Sequence, residues 1–271
     1  MSWLGLENKT VVVTGGAAGI GKAITEAFLA NGAHVVVSDM NPNEPEIAGA
    51  TEDNFLYVVA DVTKKADVEN AIAKAVERFG GLDVMINNAG INIPRLLVDP
   101  EDEGGKFELD ERVWDKIFAV NCKGVFFGAQ AAAREMIKEG KHGVIINMSS
   151  ECGLEGSQGQ SVYAASKAAV NGMTRSWCKE LGKYGIRVIG IAPGIMEATN
   201  LRTLDYETAL AYTRGITVEK LREGYTSTST TPLGRDGKLT EVADTACFLA
   251  SDRAGYIHGV TLNVAGGKTR G

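Results

Sequence analysis

The sequence predicts an α/β fold, a single domain built on a doubly wound, mostly parallel seven-stranded sheet with helices on both faces. Three observations carry that prediction. Short apolar runs rich in valine and isoleucine alternate with longer stretches of helical periodicity along nearly the whole chain, the pattern of repeated strand-helix units. The first apolar run feeds a glycine-rich turn, Gly15-Gly16-Ala17-Ala18-Gly19-Ile20-Gly21, which opens a helix. The 271 residues, 44% of them hydrophobic, suffice for one large core, and no linker or internal repeat divides them.

Thr10–Thr14 reads as a buried strand, and the helix after the glycines runs to Ala30, with Asn31-Gly32 as its stop. Glycines between a strand and a helix N-terminus let backbone approach a pyrophosphate, which the helix end stabilises. Gly15, Ala18, Gly19, Ile20 and Gly21 are therefore candidate cofactor contacts. The second strand, His34–Ser38, ends at Asp39, 18 residues beyond Gly21. That separation suits a carboxylate bound to a ribose 2′-hydroxyl. Asp39 repels a 2′-phosphate and Met40-Asn41 offers no cation, so the expected cofactor is NAD, with Asp39 and Met40 at its adenosine end. A polar loop, Asn41–Asn54, leads to a third strand, Phe55–Ala60, followed by Asp61-Val62. The helix Lys64–Phe79 is stopped by Gly80-Gly81, and a fourth strand, Leu82–Ile86, precedes Asn87-Asn88-Ala89-Gly90. Small residues there allow backbone to pass close to a ligand.

Asn92–Asp110 is an acidic insertion with a charge run expected to be solvated. Arg95, beside Pro94, is its candidate substrate contact. The next helix, roughly Glu111–Lys138, carries Asn121 among apolar neighbours, where a buried amide needs partners. Gly143–Ser149 is a fifth strand ending at Ser149-Ser150, the edge at which open α/β sheets bind ligands. A loop rich in glycine and serine follows, then a helix, Gln160–Tyr184, with one apolar face at Val170, Met173, Trp177 and Leu181.

On that helix Tyr163 and Lys167 stand one turn apart. A free phenol titrates near ~10, and lowering it by ~3 units takes ~4 kcal/mol. A lysine cation at ~4 Å supplies about that much at an effective dielectric near 20. Tyr163 could then serve as general acid/base, although Tyr-x-x-x-Lys alone also fits a solvated helix face. Ile186–Ala192 is a sixth strand closed by Pro193-Gly194. Residues 195–231 form a long polar segment with short helices at Tyr206–Arg214 and Val218–Glu223, read as a lid. A helix, Thr240–Leu249, and a last strand, Gly259–Val264, complete the chain.

Taken together, Thr14-Gly15-x-x-x-Gly19-x-Gly21, Asp61, Asn87-Asn88-Ala89-Gly90, Asn121, Ser150, Tyr163-x-x-x-Lys167 and Pro193-Gly194 resemble the short-chain dehydrogenase/reductase family. The resemblance spans nearly the whole chain. It implies a single Rossmann domain, a nicotinamide cofactor and a tetrad of Asn121, Ser150, Tyr163 and Lys167, with Ser150 chosen because it lies 13 residues before the tyrosine. It implies further cofactor contacts at Asp61, Val62, Asn88, Ala89, Gly90, Pro193, Gly194, Ile195 and Thr199. Thr199 stands one position later than the family's usual threonine. A homo-oligomer, dimer or tetramer, is implied too.

The variable stretches Asn92–Asp99, Ser149–Ser157, Leu221–Tyr225 and Ala265–Gly271 are similar to family members that interconvert a phosphorylated polyol and its ketose with NAD. Such a substrate requires local cations, and Arg95, Arg202, Arg214, Arg222 and Arg270 are available, with Arg95, Arg202 and Glu151 as the substrate-facing candidates. Another polyol, sugar-acid or ketoacyl reductase, or a dinucleotide-sensing protein, remains the alternative. A net charge of −6 leaves no basic stripe for nucleic acid. The opening residues lack a signal peptide's basic start, and no apolar run reaches a membrane span, so a cytoplasmic protein is expected. The four cysteines and three histidines form no metal-ligand spacing.

Overall fold

The valine runs explain the layers. In β1 (Thr10–Thr14), Val11 and Val13 join one core while Val12 joins another, and β2 (His34–Asp39) repeats the split with Val35 and Val37 against Val36. A strand whose two faces are both covered has no polar alternation, which is why these strands read as unbroken apolar runs. The structure, a computed structural model, describes residues 3–199 and 201–269; the candidate Arg270 lies outside them. The described residues form a seven-stranded sheet in the order β3-β2-β1-β4-β5-β6-β7, with every pairing parallel.

The remaining strands are β3 (Phe55–Val59), β4 (Val84–Asn87), β5 (Val144–Met148), β6 (Arg187–Pro193) and β7 (Thr261–Val264). Helices α1 (Gly19–Ala30) and α2 (Lys65–Phe79) follow β1 and β3, and α3 (Glu111–Phe118) and α4 (Val125–Glu139) follow β4. A short turn of helix, α5 (Cys152–Glu155), precedes the long α6 (Ser161–Leu181). Then come α7 (Leu204–Thr213), α8 (Val218–Tyr225) and α9 (Leu239–Ala250). Ile24 and Phe28 of α1 and Val242 and Ala246 of α9 cover one face. Ala71 and Ile72 of α2, Ala132 and Met136 of α4, and Trp177 and Leu181 of α6 cover the other.

Three expectations need correction. The helix expected over Glu111–Lys138 is interrupted by a π-helical segment, Ala119–Gly124, which contains Asn121; such segments concentrate at functional sites. The buried side of α6 is not the Val170–Leu181 stripe alone. It carries Ser166, Lys167, Asn171 and Thr174, each paired, so polarity concealed it: Asn147 of β5 donates to Thr174 Oγ1 (3.0 Å) and accepts from Asn87 of β4 (2.9 Å). Asn87 and Asn147 are register partners, and this buried amide ladder makes a one-residue slip costly. The charge run of the insertion is only partly solvated, because Asp99 is buried and accepts from Tyr212 Oη of α7 at 2.9 Å.

Candidate active site

A parallel sheet places every strand's carboxyl end on one edge, and the order reverses between β1 and β4, which opens a crevice there. Thr14 closes β1 across that crevice. Its Oγ1 accepts from the N–H groups of Asn88 (3.0 Å) and Ala89 (3.1 Å), while Asn88 Nδ2 donates to the carbonyls of Thr14 (3.0 Å) and Gly15 (3.1 Å). The Asn88 side chain, read as a ligand contact, is therefore spent on tying the two strand ends together. Thr14 is a structural residue that the motif contained without revealing its use.

The glycine turn fits a dinucleotide. A β-carbon on Gly21 would stand 2.0 Å from the Gly15 carbonyl oxygen, and one on Gly15 would stand 2.9 Å from Ala89 Cα. Both contacts are to backbone and could not relax cheaply, so only glycine permits this close approach. Helix α1 begins at Ala18 with no side-chain cap and no acidic residue in its first turn, which leaves its first N–H groups free for an anion. Asp39 lies at the end of β2, its carboxylate held by the N–H groups of Ala17 (3.1 Å) and Asn41 (3.1 Å); Met40 beside it is exposed. Asp61 turns back to accept from Thr63 N (2.9 Å) and Oγ1 (2.7 Å), contacts that hold its carboxyl below the usual range. Val62 is buried against Gly124, and Gly194 packs on the Ala265 backbone. Thr199 lies across from Gly19, so its one-residue offset does not remove it from the turn.

The four tetrad candidates converge around Gly90 and the end of β5. Asn121 is fully buried; it accepts from Ile91 N (2.9 Å) and donates to Ile91 O (2.9 Å) and Ser166 Oγ (3.1 Å). A β-carbon on Gly90 would lie 3.4 Å from both Asn121 Oδ1 and Lys167 Nζ, which puts amide and ammonium side by side. Ser149 and Ser150 separate in role: Ser149 Oγ donates to Lys167 O at 3.2 Å, whereas the Ser150 hydroxyl bonds to the Tyr163 phenol. Ser150 Oγ also accepts from Cys152 N at 3.2 Å.

Burial acts on both members of the Tyr163–Lys167 pair. Lys167 Nζ donates to Met148 O at 2.8 Å and lies 5.8 Å from the Tyr163 ring centroid. Burial raises the Tyr163 phenol, with Cys152 adding to the rise and Ser150 opposing it. Burial also pushes the Lys167 ammonium down to about 8. Without a cofactor, burial thus holds the Tyr163 phenol above its ordinary value.

Ser150 and Tyr163 open onto a cavity of about 730 Å³, whose outer wall comes from residues 195–231. Arg202 lines it, as do Glu151, Ile195 and Thr199. Arg95 is absent from the lining: its backbone N–H joins Gly159 O (2.7 Å) and its guanidinium folds onto Pro94 O (2.7 Å). Arg222 is bound to the buried Glu207. Two of the cavity residues, Tyr206 and Lys268, carried no sign in the sequence, and Arg214, one of the five arginines available there, joins them. Tyr206 of α7 accepts from Gln160 Nε2 at 2.9 Å, Arg214 follows α7, and Lys268 pairs with the buried Glu151 at 2.8 Å. No motif marks them, because each arrives from a segment distant in sequence.

Residues 9–210 match the family described as short chain dehydrogenase. The chain belongs to that family. Dehydrogenases of this family use nicotinamide cofactors, and this one is an oxidoreductase acting on an alcohol. It is 54% identical to sorbitol-6-phosphate 2-dehydrogenase of Klebsiella pneumoniae over 270 residues, covering 100% of this chain and 99% of that protein. It is 39% identical to a 3-oxoacyl-acyl-carrier-protein reductase of Thermotoga maritima (97% and 98% covered). A sorbitol dehydrogenase of Cereibacter sphaeroides is 35% identical (97% and 98% covered). Among the described residues of the dehydrogenase, no helix is long and apolar enough to cross a membrane.

Proposed function

We propose that this dehydrogenase interconverts D-sorbitol 6-phosphate and D-fructose 6-phosphate with NAD, in the cytoplasm. The observation that carries the reading is 54% identity over the full chain to a sorbitol-6-phosphate 2-dehydrogenase, joined to a cavity that opens on the Ser150–Tyr163 hydroxyl pair. Bound nicotinamide supplies hydride acceptance or donation at its C4 position. Ser150 and Tyr163 hold the substrate's C2 oxygen between them. Tyr163 gives that oxygen a proton during ketone reduction and removes it during alcohol oxidation. The neutral phenol is the acid form, ready for reduction. Lys167 would hold the nicotinamide ribose, and its charged form favours the phenolate that oxidation requires. Asn121, beside Lys167, links it towards solvent. Glu151 and Arg202 face the substrate. A panel of sorbitol 6-phosphate, sorbitol and a 3-oxoacyl thioester tests the assignment: the phosphorylated polyol should give the highest kcat/KM, and a preference for the thioester would replace it.

NAD is selected over NADP by the Asp39 carboxylate. A like charge opposite a 2′-phosphate costs several kcal/mol, so kcat/KM for NAD should exceed that for NADP by roughly 100-fold or more. Asp39→Ser should narrow the ratio. Equal values in the unaltered enzyme would remove Asp39 from the ribose site.

We also propose self-association. Trp114, stacked on Phe118 at 5.0 Å, and Phe126 are exposed on α3 and α4, beside the Asn121 segment, and a second copy would cover them. Light scattering should return a dimer or tetramer at micromolar concentration; a monomer would refute it.

A further inference from the structure

The cavity is richer in cations than the chain that builds it. Four basic side chains line it, Arg202, Arg214, Lys220 and Lys268, against three acidic ones, Glu151, Glu197 and Glu223, in a protein of net charge −6. Lys220 is taken by Glu223 (2.9 Å) and Lys268 by Glu151 (2.8 Å), while Glu197 accepts from Leu239 N (2.8 Å). The surplus therefore sits on the two arginines. Arg202 donates to Met196 O and stacks over the Tyr225 ring, 4.2 Å from its centroid. Arg214 donates to Ser157 Oγ at 3.1 Å. Each is partly buried, and neither forms an ion pair with a carboxylate among the described residues. The one carboxylate near Tyr225, Glu207, is already neutralised by Arg222 at 2.6 Å. Half-buried guanidiniums with spare N–H groups and no carboxylate are suited to an anion that arrives with a ligand.

Their position fits one end of a chain-like substrate. From Ser150 the wall runs through Cys152, whose thiol donates to Gln160 Oε1 (3.6 Å), to Tyr206, which accepts from Gln160 Nε2 (2.9 Å). Near Tyr206 stand Arg214 and Tyr225, both close enough to act on its phenol, and Arg202 lies over the Tyr225 ring. The arginines thus line the same cavity as the reacting hydroxyl pair, next to Tyr206 and Tyr225. We propose that Arg202 and Arg214 form a phosphate-monoester subsite, holding the substrate's terminal phosphate while its second carbon rests against Ser150 and Tyr163. The subsite rests on the reading of the substrate as a phosphorylated polyol, and it moves that role away from Arg95.

The test compares Arg214→Gln and Arg202→Gln with the unaltered enzyme on sorbitol 6-phosphate and on sorbitol. Each variant should lose on the order of 10- to 150-fold in kcat/KM for the phosphorylated polyol, the loss of one charge-assisted hydrogen bond, and a much smaller factor on sorbitol. Arg214→Lys should recover part of the loss. Equal losses on both polyols, or none on either, overturn the subsite. Inorganic phosphate provides a separate readout: it should inhibit sorbitol oxidation competitively in the unaltered enzyme and not in Arg214→Gln. If the unaltered enzyme shows no preference for the phosphorylated polyol, the substrate reading falls. The subsite then stands only if phosphate inhibition still depends on the two arginines.

Discussion

Tyr163→Phe should lower kcat by roughly 10²- to 10⁴-fold, the usual contribution of a positioned proton donor and acceptor, while NADH binding changes little. The substitution removes one oxygen and keeps the ring that fills the site. Ser150 loses its phenol partner but keeps the Cys152 N–H, so the hydroxyl stays placed. The loss therefore reports proton transfer and not a collapsed site. Because burial raises the phenol, alcohol oxidation by the unaltered enzyme should speed up as pH rises, whereas ketone reduction, which uses the protonated form, should not need high pH. Steady-state rates in both directions, with a fluorescence titration of NADH, check this. A variant that retained half its activity would exclude Tyr163 from proton transfer.

Lys167→Met should abolish most turnover, by roughly 10²-fold or more, without lowering stability at neutral pH. The ammonium is buried and its pKa is about 8 in the folded chain, against an ordinary value near ~10.4. Between those values the unfolded chain binds more protons than the folded one, so stability rises with pH across that window. Below about 8 the full penalty of burying the charge applies, roughly 3 kcal/mol for a shift of this size. Methionine removes that penalty. It also leaves the Met148 carbonyl without its 2.8 Å donor, which costs about 1–3 kcal/mol. The two effects nearly cancel or leave a small gain at pH 7. Above pH ~10.5 the penalty has gone, so the variant should there be the less stable form. Thermal unfolding at pH 7 and pH 10.5 reads the difference. A variant that loses most at pH 7 would mean that the charged lysine supports the fold.

Lys167 also illustrates what a pattern can convey. Its place one turn after Tyr163 followed from helical spacing alone, but spacing carries no information about where the ammonium is anchored. Lysine is long and flexible, and its Nζ is anchored on the Met148 carbonyl. Desolvation is the largest influence on both groups in the chain without cofactor, which spacing along a helix cannot convey. Arg95 makes a related point: proximity in sequence to the β4 end suggested the site, and in the structure its backbone pairs with Gly159 while its guanidinium rests on Pro94 O.

By itself the sequence determined the elements that local physics specifies. Short continuous runs of β-branched valine and isoleucine bounded by turn residues favour strands covered on both faces, and glycines at 15 and 21 allow a backbone approach that any β-carbon would obstruct. Ser150, Tyr163 and Lys167 belong to one strand end and one helix turn, so short-range spacing could place them. The tertiary structure alone decided what depends on contacts between distant segments. It interrupted the helix at Asn121, spent Asn88 on Thr14, and brought Tyr206, Arg214 and Lys268 to a cavity wall opposite residues more than 40 positions away in the chain. Those contacts arise from packing and from the pairing of buried polar groups, neither of which leaves a period in the sequence.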